Sequence, residues 1–182
     1  MNMPRLFVAF DLPHDVYLAL YALKNPEIKA RWVPPENMHI TMAFIGDVEL
    51  SDVKRVRETL RYVNGKLFST RTTHLTVFPA IRQPRLIVAS LENPPALQKL
   101  QQDIVSTLAE ARLLDPEDRP YHPHVTLARL KKEKPRRVHG FIEETDLPVT
   151  SARLVSSFSL YSSDLTPDGA VYHQEETYPL TA

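Results

Sequence analysis

Three His-x-Thr triplets stand out among the residues able to move protons: His39-Ile40-Thr41, His74-Leu75-Thr76 and His124-Val125-Thr126. On a β-strand, residues i and i+2 share a face, so each triplet sets an imidazole beside a hydroxyl while the apolar residue between them turns to the core. One such pair is only a polar face. Two pairs brought together across a cleft form an acid/base machine, because imidazole, with a pKa near ~6.5, offers both its neutral and its charged form close to neutrality. The two Thr hydroxyls would then donate hydrogen bonds to the non-bridging oxygens of a phosphate held between them. Such an assembly can cleave a phosphodiester without a metal. Chance pairing of the 7 His with the threonines of this 182-residue chain yields roughly half of one such triplet, so the flanks must sort the three.

Composition removes the common alternatives. The chain has no Cys, which eliminates thiolate nucleophiles, CxxC redox pairs and thiolate zinc sites. Its four glycines (Gly46, Gly65, Gly140, Gly169) are too scattered for the glycine-rich loops that cradle nucleotide phosphates. With 22 Lys+Arg against 22 Asp+Glu the net charge is zero, which argues against binding along a long nucleic acid. It leaves room for an enzyme that grips one phosphate at a chain end. No apolar stretch approaches the roughly 20 residues of a spanning helix, so no membrane partner is expected and the cytoplasm is the expected location.

The elements that must carry these residues follow from hydrophobic period and turn chemistry. Arg5 to Phe10 reads as a buried strand and Asp15 to Leu23 as a helix, closed by Asn25-Pro26. Met38 to Ile45 reads as a strand ending at Gly46-Asp47, followed by a helix with Ser51 as N-cap and Gly65 as its stop. Strands are expected over Phe68 to Phe78 and Arg85 to Leu91. A long helix enters through Pro94-Pro95 on the stripe Leu97, Leu100, Ile104, Leu108 and Ala111. His124 to Leu130 reads as a strand and Pro135 to Glu143 as a short helix. The last two strands, Ala152 to Tyr161 and Ala170 to Tyr178, flank the turn signal Thr166-Pro167-Asp168-Gly169. Strands joined both by helices and by direct hairpins predict an α+β protein, mainly antiparallel, with helices packed on its faces. The order strand, helix, strand pair occurs twice, which suggests two similar halves within a single domain over residues 1–182.

The runs Arg31-Trp32-Val33-Pro34-Pro35-Glu36-Asn37-Met38-His39-Ile40-Thr41-Met42-Ala43-Phe44-Ile45-Gly46 and Arg119-Pro120-Tyr121-His122-Pro123-His124-Val125-Thr126-Leu127-Ala128-Arg129 resemble the 2H phosphoesterase superfamily. Within it they look most like the RNA 2′,3′-cyclic phosphodiesterases, also called 2′-5′ RNA ligases, and the likeness extends to both ends of the chain. The resemblance implies a bilobal, pseudo-twofold fold with the two motifs facing each other in a central cleft. It implies His39 as proton donor to the departing 3′ oxygen and His124 as the base that activates water, leaving a 2′-phosphate. Thr41 and Thr126 would hold the phosphate, and Arg129 matches the family's Arg after the second motif. Strand parity leaves the direction of Arg129 open. The implied partner is an RNA end bearing a 2′,3′-cyclic phosphate, with no cofactor and no metal, and the chain is expected to be a monomer.

Other readings stand beside this one. The same residues would serve 2′-5′ RNA ligation, the chemical reverse, or opening of another small cyclic phosphate, and a non-catalytic RNA-end binding module is a third possibility. His74 is expected to be a chance match on a strand surface. His122 and His124 form His-x-His, a pattern suited to zinc, but no third ligand stands nearby in the sequence. His14, His139 and His173 are expected at the surface. Lys131 to Arg137 (KKEKPRR) reads as a solvated basic loop or as a contact for RNA phosphates. Phe7, Phe10, Trp32 and Tyr121 could stack on bases, although aromatics in short strands usually belong to the core.

Overall fold

A computed structural model of the chain describes residues 3–116, 118–148, 150–166 and 169–182. Among these residues, ten strands and four helices are formed, in the order β1 (Arg5–Phe10), α1 (His14–Tyr21), β2 (Ala30–Trp32), β3 (Ile40–Asp47), α2 (Leu50–Leu60), β4 (Phe68–Thr70), β5 (Thr72–Ala80), β6 (Gln83–Leu91), α3 (Pro95–Glu110), β7 (His124–Leu130), α4 (Pro135–Glu144), β8 (Arg153–Val155), β9 (Ser157–Thr166) and β10 (Gly169–Pro179). The expected α+β class is the observed one. Eight strands form one sheet in the order β10-β9-β1-β3-β7-β6-β5, with β2 paired to β7, and β4 and β8 form a separate pair. Every pairing between these strands is antiparallel.

The helices cover one face of the main sheet. In α3 the predicted stripe is realised as far as Leu108, with Leu97, Leu100, Ile104 and Leu108 all buried, whereas Ala111 falls at the C-cap and is half-buried; Gln101 donates to the Met42 carbonyl on β3 at 3.3 Å. Each such aliphatic side chain taken out of water contributes about 1.5–3 kcal/mol. From α4, Val138 and Phe141 are buried, and Phe141 meets Trp32 with ring centroids 5.9 Å apart. No helix among the described residues is long and apolar enough to cross a membrane.

Several boundaries differ from expectation. Helix α2 begins at Leu50 with Glu49 at its N-cap, so Ser51 lies inside the first turn and caps nothing. It ends at Leu60, not at Gly65. Gly65 instead sits where an added Cβ would come within 2.6 Å of Leu100 and Leu180, which makes it a packing position. The strand expected over Phe68 to Phe78 divides at Arg71, because β4 leaves to pair with β8 while β5 joins the main sheet. The strand expected from Ala152 divides likewise at Ser156. The short strand β2 was not anticipated, and a 3₁₀ turn at Pro35–Asn37 delays β3 until Ile40. Strands β9 and β10 form the expected hairpin; Pro167 and Asp168 of its turn signal lie outside the described residues.

The two motif strands meet at the centre of the sheet through the pair Ile40–Val125, the middle residues of the first and third triplets. Both side chains are fully buried on the helix-covered face. Alternation therefore sends His39, Thr41, His124 and Thr126 to the opposite, open face. A bulge follows each Thr. Met42 on β3 and Leu127 on β7 are extra residues in the ladders to β1 and β6. Each is buried together with its successor, Ala43 or Ala128, so the alternation restarts one residue late. Phe44 and Arg129 consequently emerge on the same face as the His-Thr pairs.

Candidate active site

Antiparallel register around Ile40–Val125 sets Thr41 across from His124 and His39 across from Thr126. The four side chains make a diagonal arrangement of two imidazoles and two hydroxyls, each half-buried. Both imidazoles are oriented in the same way. His39 Nδ1 lies 3.0 Å from the Asn37 carbonyl and His124 Nδ1 lies 2.7 Å from the His122 carbonyl. A carbonyl only accepts, so Nδ1 carries the proton in each ring and Nε2 is left for exchange with a ligand. Neither Thr41 nor Thr126 spends its hydroxyl on a partner among the described residues, which leaves both free to donate to an anion.

Aromatic rings brace the imidazoles. His39 packs between Phe7 (centroids 4.9 Å apart) and the edge of Tyr172 (5.0 Å), and His124 meets Phe78 edge-on at 4.8 Å. Burial lowers the pKa of both histidines. For His39 the Asn37 carbonyl and the charge of Asp11 oppose this, while Arg129 and His124 add to it. For His124 the His122 carbonyl opposes burial and the neighbouring His122 ring reinforces it. Asp11 is itself held by the hydroxyls of Tyr17 at 3.3 Å and Tyr161. Burial first, then the Asp11 carboxylate, pushes both phenols well above their usual range, so they stay protonated donors.

All five residues singled out by sequence share this face. The direction of Arg129 is settled by the Leu127 bulge, and its charge is felt at His39. Asp11, Tyr161, Tyr172 and Phe78 were not singled out. Asp11 carries a signal as the polar residue after β1 and has Tyr17 six residues on, but its second tyrosine partner, Tyr161, lies 150 positions away and cannot be paired from sequence. Of the four aromatics considered for stacking, Phe10 is core and Trp32 faces α4. Phe7 is buried against His39, and Tyr121 donates to the Thr41 carbonyl at 3.3 Å.

His74 stands on the same sheet face, two strands from His124 through Ser90, which places the backbones roughly 10 Å apart. It is exposed, as expected, and its Nδ1 meets the Thr73 hydroxyl at 3.0 Å. Among the described residues no three His, Asp or Glu side chains gather as ligands, so the His122-His124 pair lacks a third. His139 and His173, expected at the surface, lie there, each 3.2 Å from a carboxylate, Glu143 and Asp164 respectively. The basic run divides. Glu133 accepts from the backbone N–H of Lys29 and Lys134, and Arg137 donates to the Glu27 carbonyl, which ties the loop before β2 to the start of α4. Lys131, Lys132 and Lys134 stay exposed.

A model of the 2′-5′ RNA ligase superfamily matches residues 21–166, a span that includes both motifs. The chain belongs to this superfamily. Two relatives named RNA 2′,3′-cyclic phosphodiesterase match over nearly their whole length. The one from Thermotoga maritima is 31% identical over 174 residues, 92% of this chain and 91% of that protein. The one from Methanothermobacter thermautotrophicus is 31% identical over 185 residues, 97% and 98% of the two chains. Among solved structures, a Thermus thermophilus protein superposes with a TM-score of 0.79 at 26% identity, covering 96% and 97% of the two chains. E. coli LigT in its apo form gives 0.77 at 25% identity over 100% of both. The likeness in fold to LigT thus extends over the whole chain.

Proposed function

We propose that this member of the superfamily is an RNA 2′,3′-cyclic phosphodiesterase working by paired-histidine acid/base catalysis. The observation that carries the reading is the matched pair: two imidazoles fixed through Nδ1 with Nε2 free, beside two uncommitted Thr hydroxyls on one open sheet face. The superfamily membership and the names of the relatives support the choice of substrate.

The steps follow from the geometry. Neutral His124 takes a proton from water at Nε2 as the water oxygen attacks phosphorus. The P–O3′ bond breaks on the far side, and protonated His39 gives its Nε2 proton to the departing 3′ oxygen. The product carries a 2′-phosphate and a 3′-hydroxyl. Thr41 and Thr126 donate to the non-bridging oxygens as charge builds there, and Arg129 adds positive potential. Both proton transfers are supplied by protein groups, so the scheme calls for no cofactor. A terminal 2′,3′-cyclic-phosphate oligonucleotide incubated with the protein is expected to yield the 2′-phosphate, identified by its chromatographic mobility against both isomers. A 3′-phosphate product would reverse which bond is broken, and no product at all would overturn the reading.

The pKa directions set the pH profile. His39 must be protonated and its pKa is lowered, so activity falls with rising pH from a point below ~6.5. His124 must be neutral and its pKa is lowered too, so the acid limb also lies below ~6.5. The bell in kcat/KM, which reports the free enzyme, is therefore centred below pH ~6.5. A bound phosphate anion raises both pKa values, so the bell in kcat lies at higher pH than that in kcat/KM. Profiles of both parameters between pH 4 and 9 test this, and a kcat/KM optimum on the alkaline side of 7 contradicts it.

Ligation is the second reading, favoured by the superfamily to which the chain belongs. An RNA 5′-hydroxyl would attack phosphorus where hydrolysis places water, the P–O3′ bond would break as before, and the same four residues would act.

A further inference from the structure

Arg31 and Arg129 are directly opposed across β2 and β7. Their shared face is fixed twice over. The Leu127 bulge turns Arg129 to the site face, and Trp32, paired with buried Ala128, turns to Phe141, so Arg31 alternates to the side of Arg129. Two guanidinium groups directly opposite each other repel. Neither forms an ion pair with a carboxylate among the described residues, although ten other ion pairs are formed there by this chain's charged side chains. The Arg31 guanidinium lies against the start of β10. Gly169, with φ +139°, leaves the space its guanidinium occupies, and any Cβ there would collide with it. The same stretch of β10 is tied to the segment before His39 by Asn37, which donates to the Ala170 carbonyl at 3.1 Å. The pair, without a carboxylate partner among the described residues, therefore stands at the His39 end of the site.

That end has a meaning in the proposed reaction. In-line displacement puts water on the His124 side and the departing 3′ oxygen on the His39 side. The ribose bearing that oxygen continues through C4′ and C5′ to the next phosphodiester of an RNA strand. Arg129 lies one two-residue strand repeat, about 7 Å, beyond Thr126 once the bulge is discounted, a step on the scale of one nucleotide link. We propose that Arg31, together with Arg129, forms a subsite for the phosphodiester immediately 5′ to the terminal nucleotide. The substrate class is then oligoribonucleotide ends in preference to free 2′,3′-cyclic mononucleotides. This inference rests on the phosphodiesterase reading.

The test compares kcat/KM for a dinucleotide ending in 2′,3′-cyclic phosphate with kcat/KM for the mononucleoside 2′,3′-cyclic phosphate. The wild type is expected to prefer the dinucleotide, and Arg31→Ala is expected to lower that preference ratio about tenfold, the usual loss of a charge-assisted hydrogen bond. A dinucleotide with an uncharged methylphosphonate link is expected to lose the preference in the wild type and to be insensitive to Arg31→Ala. Equal falls on both natural substrates mean a structural role for Arg31 and overturn the subsite, as does an unchanged ratio. Failure of the wild type to turn over either natural substrate overturns the phosphodiesterase reading itself, and the subsite with it.

Discussion

Replacing His124 by Ala is expected to slow cyclic-phosphate opening between about a hundredfold and ten-thousandfold, the range that a positioned general base contributes. The loss falls on kcat. Thr41 and Thr126 still hold the phosphate, so KM changes little, but nothing else among the described residues of the site face stands ready to take the proton from water. His122 is the neighbour most able to substitute, yet it is exposed, and its hydrogen bond to His124 is made by its carbonyl. His74→Ala provides the comparison: the third triplet lies two strands away and its loss is expected to change the rate less than about twofold. Steady-state kinetics on a cyclic-phosphate substrate distinguishes the two variants. A His124→Ala loss confined to KM, or smaller than about tenfold, would contradict its assignment as the base.

The contrast between His124 and His74 shows what sequence could and could not resolve here. Period-two alternation suffices to place the His and Thr of any one triplet on a common face, and the longer flanks mark out the first and third. Nothing local says which triplets become neighbours. That depends on β3 and β7 meeting at Ile40–Val125, a contact between residues 85 positions apart. The direction of Arg129 was hidden for a different reason. A bulge inserts one residue into the ladder and reverses all parity beyond it, so counting from Thr126 points Arg129 to the core. A signal was nonetheless present. In both motifs two apolar residues follow the Thr, Met42-Ala43 and Leu127-Ala128, and interrupt the alternation at the same place. The three-residue strand β2 is too short to show a period, which concealed the cross-strand neighbour of Arg129. Ser51 misleads because Ser is a good N-cap in isolation, whereas the helix is already entered two residues earlier, with Glu49 at the N-cap.

The acid role of His39 can be separated from the base role of His124 by changing the leaving group. On a 2′,3′-cyclic phosphate, His39→Ala is expected to lose between about a hundredfold and ten-thousandfold, because an alkoxide leaves poorly without a proton. A phosphodiester with a p-nitrophenyl leaving group needs no such help, since the phenolate departs as a stable anion. On that substrate His39→Ala is expected to retain its rate within about tenfold of the wild type, while His124→Ala is still impaired about a hundredfold or more. The environment of His39 fits the acid role. Asp11, charged and secured by two tyrosines, favours its protonated form, whereas no carboxylate among the described residues acts on His124 in this way. Asp11 thus offsets part of the burial that would otherwise leave His39 too weakly protonated to donate. If the aryl substrate rescues His124→Ala in place of His39→Ala, the two roles are exchanged, and the 3′ oxygen must leave toward the opposite end of the cleft.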